Sequence, residues 1–120
     1  MRGNMIHVEN KKFFPYYPEA PTHIYIGRPS VLGNPYRIGV NGTREEVIEK
    51  YTTWFRYQLE YNHHVVSEIR RLREVHLEYP NLYLICWCAP LACHGHVIAS
   101  VLDGMAAGQA IDDWLSSFVN

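Results

Sequence analysis

The stretch CWCAPLACHGH, residues 86–96, holds all three cysteines of the chain and two of its seven histidines. Thiolate and imidazole groups are ligands of zinc, and they also act as nucleophile and base in covalent catalysis. Three kinds of site are therefore open: a metal site, a cysteine nucleophile with a histidine base, and one edge of a ligand pocket.

The first kind of site is a zinc site. Its Cys3His ligand set would be Cys86, Cys88, Cys93 and His94. The spacing is unfavourable, because all four side chains would come from one short turn, whereas a zinc knuckle usually takes two pairs separated by a loop. Cys86 follows the apolar residues LYLI and is expected in the core, where unpaired cysteines are often found. We predict a site without a metal, with zinc as the alternative cofactor.

The second kind of site is a nucleophile with its base. Apolar residues from Val97 onward have helical spacing, which predicts a helix that begins between Cys93 and Gly95. A helix start stabilises a thiolate, so the pKa of Cys93 would be lowered. Cys93 and His94 are the candidate catalytic residues, although His96 reaches Cys93 more easily because neighbouring residues on a helix point apart. The alternative is that Cys93 packs beneath the turn and the histidines only cap the helix.

The third kind of site is a ligand pocket that includes GRPSVLGNP, residues 27–35. Arg28 directly follows a predicted strand and carries a planar fork of five donors that suits phosphate or carboxylate. Ser30 and Asn34 add neutral donors, and Gly33 lets the backbone approach a ligand closely. The predicted ligand-binding residues are Arg28, Ser30, Gly33, Asn34, Trp87, Cys88, Gly95 and His96.

Aromatic side chains near this pocket suit a nucleobase. Trp87, Tyr36 and the tyrosines of FFPYYP, residues 13–18, present faces on which a base can stack. Other interpretations stay open: Arg28 pairs with a buried carboxylate, residues 33–35 form only a turn, and the tyrosines belong to the core.

These segments must be positioned by strands and helices. Thr43 and Glu46 form a capping-box pattern, so a helix should begin there and run to about Tyr61. The apolar run LYLICW, residues 82–87, is typical of a strand buried on both faces and is the predicted central strand. Further predicted elements are strands at 5–9 and 23–27, a second helix containing residues 65–76, and the helix that starts near residue 93. If the strands at 23–27 and 82–87 are neighbours, the turns after them meet at one edge of the sheet.

Length and charge limit the classes of protein. A chain of 120 residues with 48% hydrophobic residues predicts one α/β domain over residues 1–120, a small Rossmann-like sheet with flanking helices. The formal net charge of −1 makes nucleic acid an improbable partner, because no general attraction to polyanions follows from it. We expect no membrane segment, and the odd number of cysteines favours reduced thiols and a cytoplasmic location.

Three blocks occur in order along the chain: YIGRPSVLGNP, IGVNGTREEVIEKYTTW and CWCAPLACHG. Their combination resembles a phage and bacterial family, the domain of unknown function 4326, from about residue 23 to about residue 102. The family has no assigned activity, so the resemblance implies a compact α/β fold and a shared site without a reaction. The signature maps onto Gly27, Arg28, Pro29, Ser30, Gly33, Asn34, Pro35, Gly42, Thr43, Glu45, Cys86, Trp87, Cys88, Pro90, Cys93, His94 and Gly95. His96 departs from the family pattern, in which an acidic residue is common.

The function that these features favour is binding of a phosphorylated, nucleotide-type small molecule between the turns at 28–35 and 88–96. A phage-encoded protein of this kind would capture a nucleotide signal of host defence. One alternative is a Cys/His-dependent enzyme, with or without zinc, that acts on a nucleotide or nucleoside derivative. Another is a structural or interaction module without a ligand. The apolar tail with Trp114, Leu115 and Phe118 would pack on the core or join a second copy in a homo-oligomer.

Overall fold

A computed structural model of the protein describes residues 5–13, 22–88, 91 and 93–106. Its strands are β1 (Met5–Asn10), β2 (His23–Tyr25) and β3 (Asn81–Cys86). Its α-helices are α1 (Arg44–Tyr61), α2 (His63–Glu78) and α3 (His94–Ala106), and a short 3-10 helix (Lys11–Phe13) follows β1. Most of the FFPYYP stretch and the apolar tail at 114–118 lie outside the described residues.

The three described strands form a parallel sheet in the order β1-β3-β2. Leu84 pairs with Val8 of β1 on one side and with Ile24 of β2 on the other. The predictions of a mixed α/β domain and of a central strand at LYLIC are therefore confirmed. Because β2 and β3 are parallel, the chain must cross over between them, and α1 and α2 make that crossover.

The core lies between one face of the sheet and the three helices. Leu82, Leu84 and Cys86 of β3 belong to its cluster of buried side chains. Each helix adds apolar residues three or four positions apart, which is the spacing of one helix face. These residues are Tyr51, Phe55 and Leu59 in α1, Val65, Ile69 and Leu72 in α2, and Ile98, Val101 and Leu102 in α3.

The start of α1 matches the predicted capping box. The Thr43 hydroxyl accepts from the Glu46 amide at 3.2 Å, and Glu46 Oε1 accepts from the Thr43 amide at 2.8 Å. The hydrogen bond from the Thr43 backbone, with that from its side chain, lowers the pKa of Glu46. Two otherwise unpaired amides are satisfied in this way, so the position of the helix start follows from the local sequence.

The end of α1 and the start of α2 share one residue, Asn62. Its amide donates to the Gln58 carbonyl at 2.8 Å, and its side-chain oxygen accepts from the His64 amide at 3.0 Å. His63 and His64 consequently lie in the first turn of α2. In the described part of the chain, no helix is both long and apolar enough to span a membrane.

Candidate functional site

A pocket of about 430 Å³ opens where the chain leaves β2 and β3, beside the starts of α1 and α3. Carboxyl ends of parallel strands are the usual position of ligand sites in open α/β sheets. The pocket is lined by Gly27, Arg28, Asn34, Tyr36, Arg37, Ile38, Val40, Arg44, Val47, Ile48, Trp87, Cys88, Cys93 and His94.

The pocket wall is strongly basic. Arg28, Arg37 and Arg44 line it, and its described lining residues include no Asp or Glu. Nη1 of Arg28 donates to the Asn34 carbonyl at 2.7 Å and lies 3.5 Å from the Tyr36 carbonyl oxygen. Within the described residues Arg28 forms no salt bridge, so the interpretation that it pairs with a carboxylate finds no support there.

Two tight turns and one buried anchor shape the loop that carries Arg28. The Ser30 amide donates to the Gly27 carbonyl at 2.8 Å, and the Gly33 amide donates to the Ser30 carbonyl at 2.9 Å. Leu32 is buried, and its carbonyl accepts a 2.8 Å hydrogen bond from the Tyr51 hydroxyl of α1. The loop is therefore fastened to α1 from beneath, while Arg28 stays at the surface of the pocket.

Trp87 is the aromatic side chain of the pocket wall whose orientation is fixed by neighbouring residues. Its indole Nε1 donates to the Tyr25 hydroxyl at 3.2 Å, and that hydroxyl donates to the Arg28 carbonyl at 2.8 Å. The Lys11 ammonium lies 5.8 Å from the centre of the Trp87 ring. These contacts fix the plane of a side chain that is 60% exposed, so a ligand meets a pre-oriented aromatic surface connected to the arginine loop.

The three cysteines form a chain of sulfur contacts, and none is in a disulfide. Cys93 Sγ lies 3.4 Å from Cys86 Sγ and also donates to Cys88. This hydrogen bond from Cys93, together with Arg44 and then Arg28, lowers the pKa of Cys88 to about 6. The hydrogen bonds to Cys86 and Cys88, with burial, raise the pKa of Cys93.

The negative charge of the cysteine cluster therefore belongs to Cys88. The sequence predicted a lowered pKa for Cys93 from its place at the helix start, and the structure differs. The Cys93 sulfur does cap α3, since it accepts from the Gly95 amide at 3.3 Å. Burial and two neighbouring sulfurs outweigh that single amide, so the proton stays on Cys93.

The two histidines of the motif have different surroundings. His94 is buried, and its Nε2 lies 2.8 Å from the Ile26 carbonyl oxygen, which can only accept; Nε2 therefore carries the proton. Burial lowers the pKa of His94, so the ring is neutral near neutral pH. His96 is exposed, and its Nδ1 lies 3.2 Å from the Cys93 amide nitrogen. Among the described residues, no hydrogen bond joins either ring to the Cys93 sulfur.

The alternative zinc set is not assembled. Within the described ranges, no three His, Cys, Asp or Glu side chains are arranged to hold a metal ion. His94 directs Nε2 at the Ile26 carbonyl, while Cys86 and Cys93 are both enclosed in the core. Cys86, Cys88, Cys93 and His94 thus do not form the tetrahedral site that the sequence left open.

The predicted ligand-binding residues separate into two groups. Arg28, Asn34, Trp87 and Cys88 line the pocket, as do the candidate catalytic residues Cys93 and His94. Ser30, Gly33, Gly95 and His96 are not among its lining residues. A Cβ at Gly33 would lie 3.0 Å from the Arg28 amide nitrogen, and one at Gly95 would lie 2.9 Å from Val8 Cγ1. These two glycines permit close packing of the chain on itself.

Two arginines of the pocket were missed from the sequence. Arg44 is the first residue of α1, and Arg37 lies in the preceding loop, where its amide donates to Asn41 Oδ1 at 2.8 Å. Arg44 carried a usable signal, because a cation at a helix N-terminus opposes the helix dipole and needs another reason to be there. No signal in the sequence identifies Arg37 as a pocket residue, because its position depends on how the loop folds over α1.

Comparison with known proteins identifies the family of the chain. The model of the domain of unknown function (DUF4326) matches residues 10–104, and the chain belongs to this family. That range contains every described residue that lines the pocket. No curated protein matches the chain, and no solved structure does.

Proposed function

We propose that the protein binds a phosphorylated, nucleotide-type small molecule in the pocket between Arg28 and Trp87. The observation that carries this proposal is the lining itself: three arginines and an oriented indole surround one cavity of about 430 Å³. Small-molecule pockets are usually about 300–1,000 Å³ in volume, so a mononucleotide is of suitable size.

The phosphate of the ligand would bind at the arginine end of the pocket. Guanidinium groups hold phosphate through paired, charge-assisted hydrogen bonds, and Arg28 is already held by the Asn34 carbonyl. The described lining residues include three arginines and no carboxylate, and the Cys88 thiolate is a negative charge on the same wall. A dianionic group therefore suits this wall better than a neutral one.

The base of the ligand would stack on Trp87. Ile38 and Val40 are exposed apolar residues of the same pocket and would cover the other side of a ring. The Rossmann-like character predicted for the fold belongs to this proposal, because it too supposes a ligand at the carboxyl ends of β2 and β3.

Binding is tested by calorimetry with four probes: AMP, ADP, adenosine and inorganic phosphate. We expect AMP or ADP to bind more tightly than adenosine or phosphate alone. Arg28→Ala should weaken nucleotide binding by about 10- to 150-fold, because a hydrogen bond to a charged group contributes about 1.5–3 kcal/mol. Trp87→Ala should weaken AMP binding by a comparable factor and leave phosphate binding unchanged.

The matched control is Arg70→Ala, which removes an exposed arginine of α2 from outside the pocket lining. Its nucleotide affinity should equal that of the wild type. If Arg28→Ala and Arg70→Ala weaken nucleotide binding equally, the effect comes from net charge alone and the proposed binding pocket is refuted. If none of these four probes binds, and GMP, CMP and UMP do not bind in the same assay, the interaction module that needs no ligand is favoured.

A second candidate function is an enzyme that acts on the same ligand. The observation that favours it is a thiol of lowered pKa, Cys88, on the wall of the pocket beside Arg44. In this version Cys88 takes the nucleophilic role predicted for Cys93, and His94 stays the candidate acid or base. If the protein is an enzyme, Cys88→Ser should abolish turnover and retain nucleotide binding. If it only binds the nucleotide, the ligand should stay intact with both the wild type and the variant.

A further inference from the structure

Three cysteine side chains are joined by hydrogen bonds at one side of the pocket, and their surroundings differ. Cys88 is half-buried and lines the cavity, so a small molecule can reach it. Cys93 also lines the cavity but is only 2% exposed, and it donates its thiol hydrogen to Cys88. Cys86 is fully buried at the end of β3, with its sulfur 3.4 Å from that of Cys93. Binding of a ligand in the pocket does not require an accessible thiol next to an enclosed one, so this arrangement needs another explanation.

We propose that Cys88 and Cys93 form a redox pair, in which a hydroperoxide oxidises Cys88 from the pocket and Cys93 then closes a disulfide with it. This inference goes beyond nucleotide binding and does not depend on it. The arrangement is that of a reactive thiol with a resolving thiol beside it, and the two residues are separated by only four positions of the chain.

The reaction balances in two steps. The Cys88 thiolate attacks one oxygen of the hydroperoxide ROOH, the O–O bond breaks, and Cys88 becomes a sulfenic acid while RO⁻ takes a proton from solvent. The Cys93 sulfur then attacks Cys88 sulfur, the S–O bond breaks, and hydroxide leaves and combines with the Cys93 proton as water. The hydroperoxide is reduced to an alcohol, or to water when R is hydrogen, and two thiols become one disulfide.

The arginines of the pocket assist the first step. Arg44 and Arg28 stabilise the thiolate, and the same positive charges favour the alkoxide or hydroxide that departs. A low pKa alone accelerates little: it raises the thiolate fraction at neutral pH but lowers the nucleophilicity of each thiolate. The dependence of the rate on pH therefore tests the assignment better than the rate at one pH.

The experiment treats the full chain with hydrogen peroxide, then denatures it, alkylates it with iodoacetamide and measures the intact mass, because Cys86 and Cys93 are buried in the folded protein. Reduced protein should take three labels. Oxidised protein should lose two hydrogen atoms and take one label, on Cys86. The oxidation rate should rise with pH to a plateau with its midpoint near pH 6, the pKa of Cys88, whereas an ordinary cysteine titrates near 8.5.

Two variants separate the roles of the thiols. Cys93→Ser retains an oxygen that can cap α3, so it should fold, and its Cys88 should stop at a sulfenic acid that dimedone traps. Cys88→Ser should form no disulfide at peroxide concentrations that fully oxidise the wild type. Far-ultraviolet circular dichroism verifies that both variants are folded.

Three results would overturn the redox pair. A disulfide that still forms in Cys88→Ser would assign the chemistry to Cys86 and Cys93. Oxidation of wild-type Cys88 to a sulfinic acid without any disulfide would remove Cys93 as the resolving thiol. A midpoint near pH 8.5 in the dependence of the oxidation rate on pH would show that Cys88 is an ordinary thiol. Because no nucleotide is present in these assays, their failure leaves the binding proposal standing, and the reverse also holds.

Discussion

The hydroxyl of Tyr51 is the most informative single group to remove, because it joins a core helix to the loop of the candidate site. The side chain is completely buried, and its hydroxyl donates to the Leu32 carbonyl at 2.8 Å. Tyr51→Phe keeps the ring and its contacts with Phe55 and His94, but it takes the Tyr51 donor away from a carbonyl inside the protein. We expect this change to destabilise the fold and to loosen the loop above Leu32.

The size of the effect follows from the cost of a buried polar group that loses its partner, about 1–3 kcal/mol. Unfolding entropy is about 2.1 cal/mol/K per residue, so a chain of 120 residues has about 0.25 kcal/mol/K. Each kcal/mol then lowers Tm by about 4 °C, and Tyr51→Phe should lower it by about 4–12 °C.

Thermal unfolding followed by circular dichroism measures this shift, and urea unfolding gives the free energy independently. The matched control is Tyr57→Phe, which removes a hydroxyl from the same helix at a side chain that is 59% exposed. That variant should unfold within about 0.5 kcal/mol of the wild type. If both variants have the same Tm, the hydrogen bond to Leu32 contributes nothing and the loop is held by packing alone.

Two further predictions concern packing and pH. Gly95→Ala places a methyl group 2.9 Å from Val8 Cγ1, so it should destabilise the protein by about 1–2 kcal/mol in urea unfolding; stabilisation, as at an exposed helical glycine, would contradict the close contact. Burial lowers the pKa of His76 and His94, so the unfolded chain binds more protons in acid and stability should fall as the pH drops below about 6.5. His76→Gln should reduce the slope of unfolding free energy against pH, and an unchanged slope would refute this.

The fold was largely predictable because its signals are local. The capping box at Thr43 and Glu46 needs only four consecutive residues, and the apolar run before Cys86 identifies a buried strand without knowledge of its neighbours. The adjacency of β2 and β3 was stated as a condition, and the observed pairing of Ile24 with Leu84 fulfils it. Periodicity thus determines the elements, and the rules for parallel sheets limit how they are joined.

The electrostatics of the site were not predictable in the same way. Which thiol carries the charge depends first on the hydrogen bond between Cys93 and Cys88, and then on Arg44, which lies more than forty positions from Cys88 and reaches it only after α1 has packed. The motif alone suggested Cys93, because a helix start is visible in sequence and a neighbouring sulfur or guanidinium is not. Arg37 was missed for the same reason, since the surroundings of a loop residue arise from tertiary structure.

The parallel pairing of β1 with β3 has a consequence for the order of folding. Met5 pairs with Asn81, so this part of the sheet closes a loop that includes more than half of the chain. The contacts between α1 and α2, in contrast, join neighbours that turn at Asn62. Because closing long loops costs entropy before it gains contacts, the helical hairpin can form during synthesis while β1 waits for β3 to leave the ribosome. Strand β1 therefore docks only after most of the chain has been made, and until then the edge of β3 that pairs with it is open to other chains.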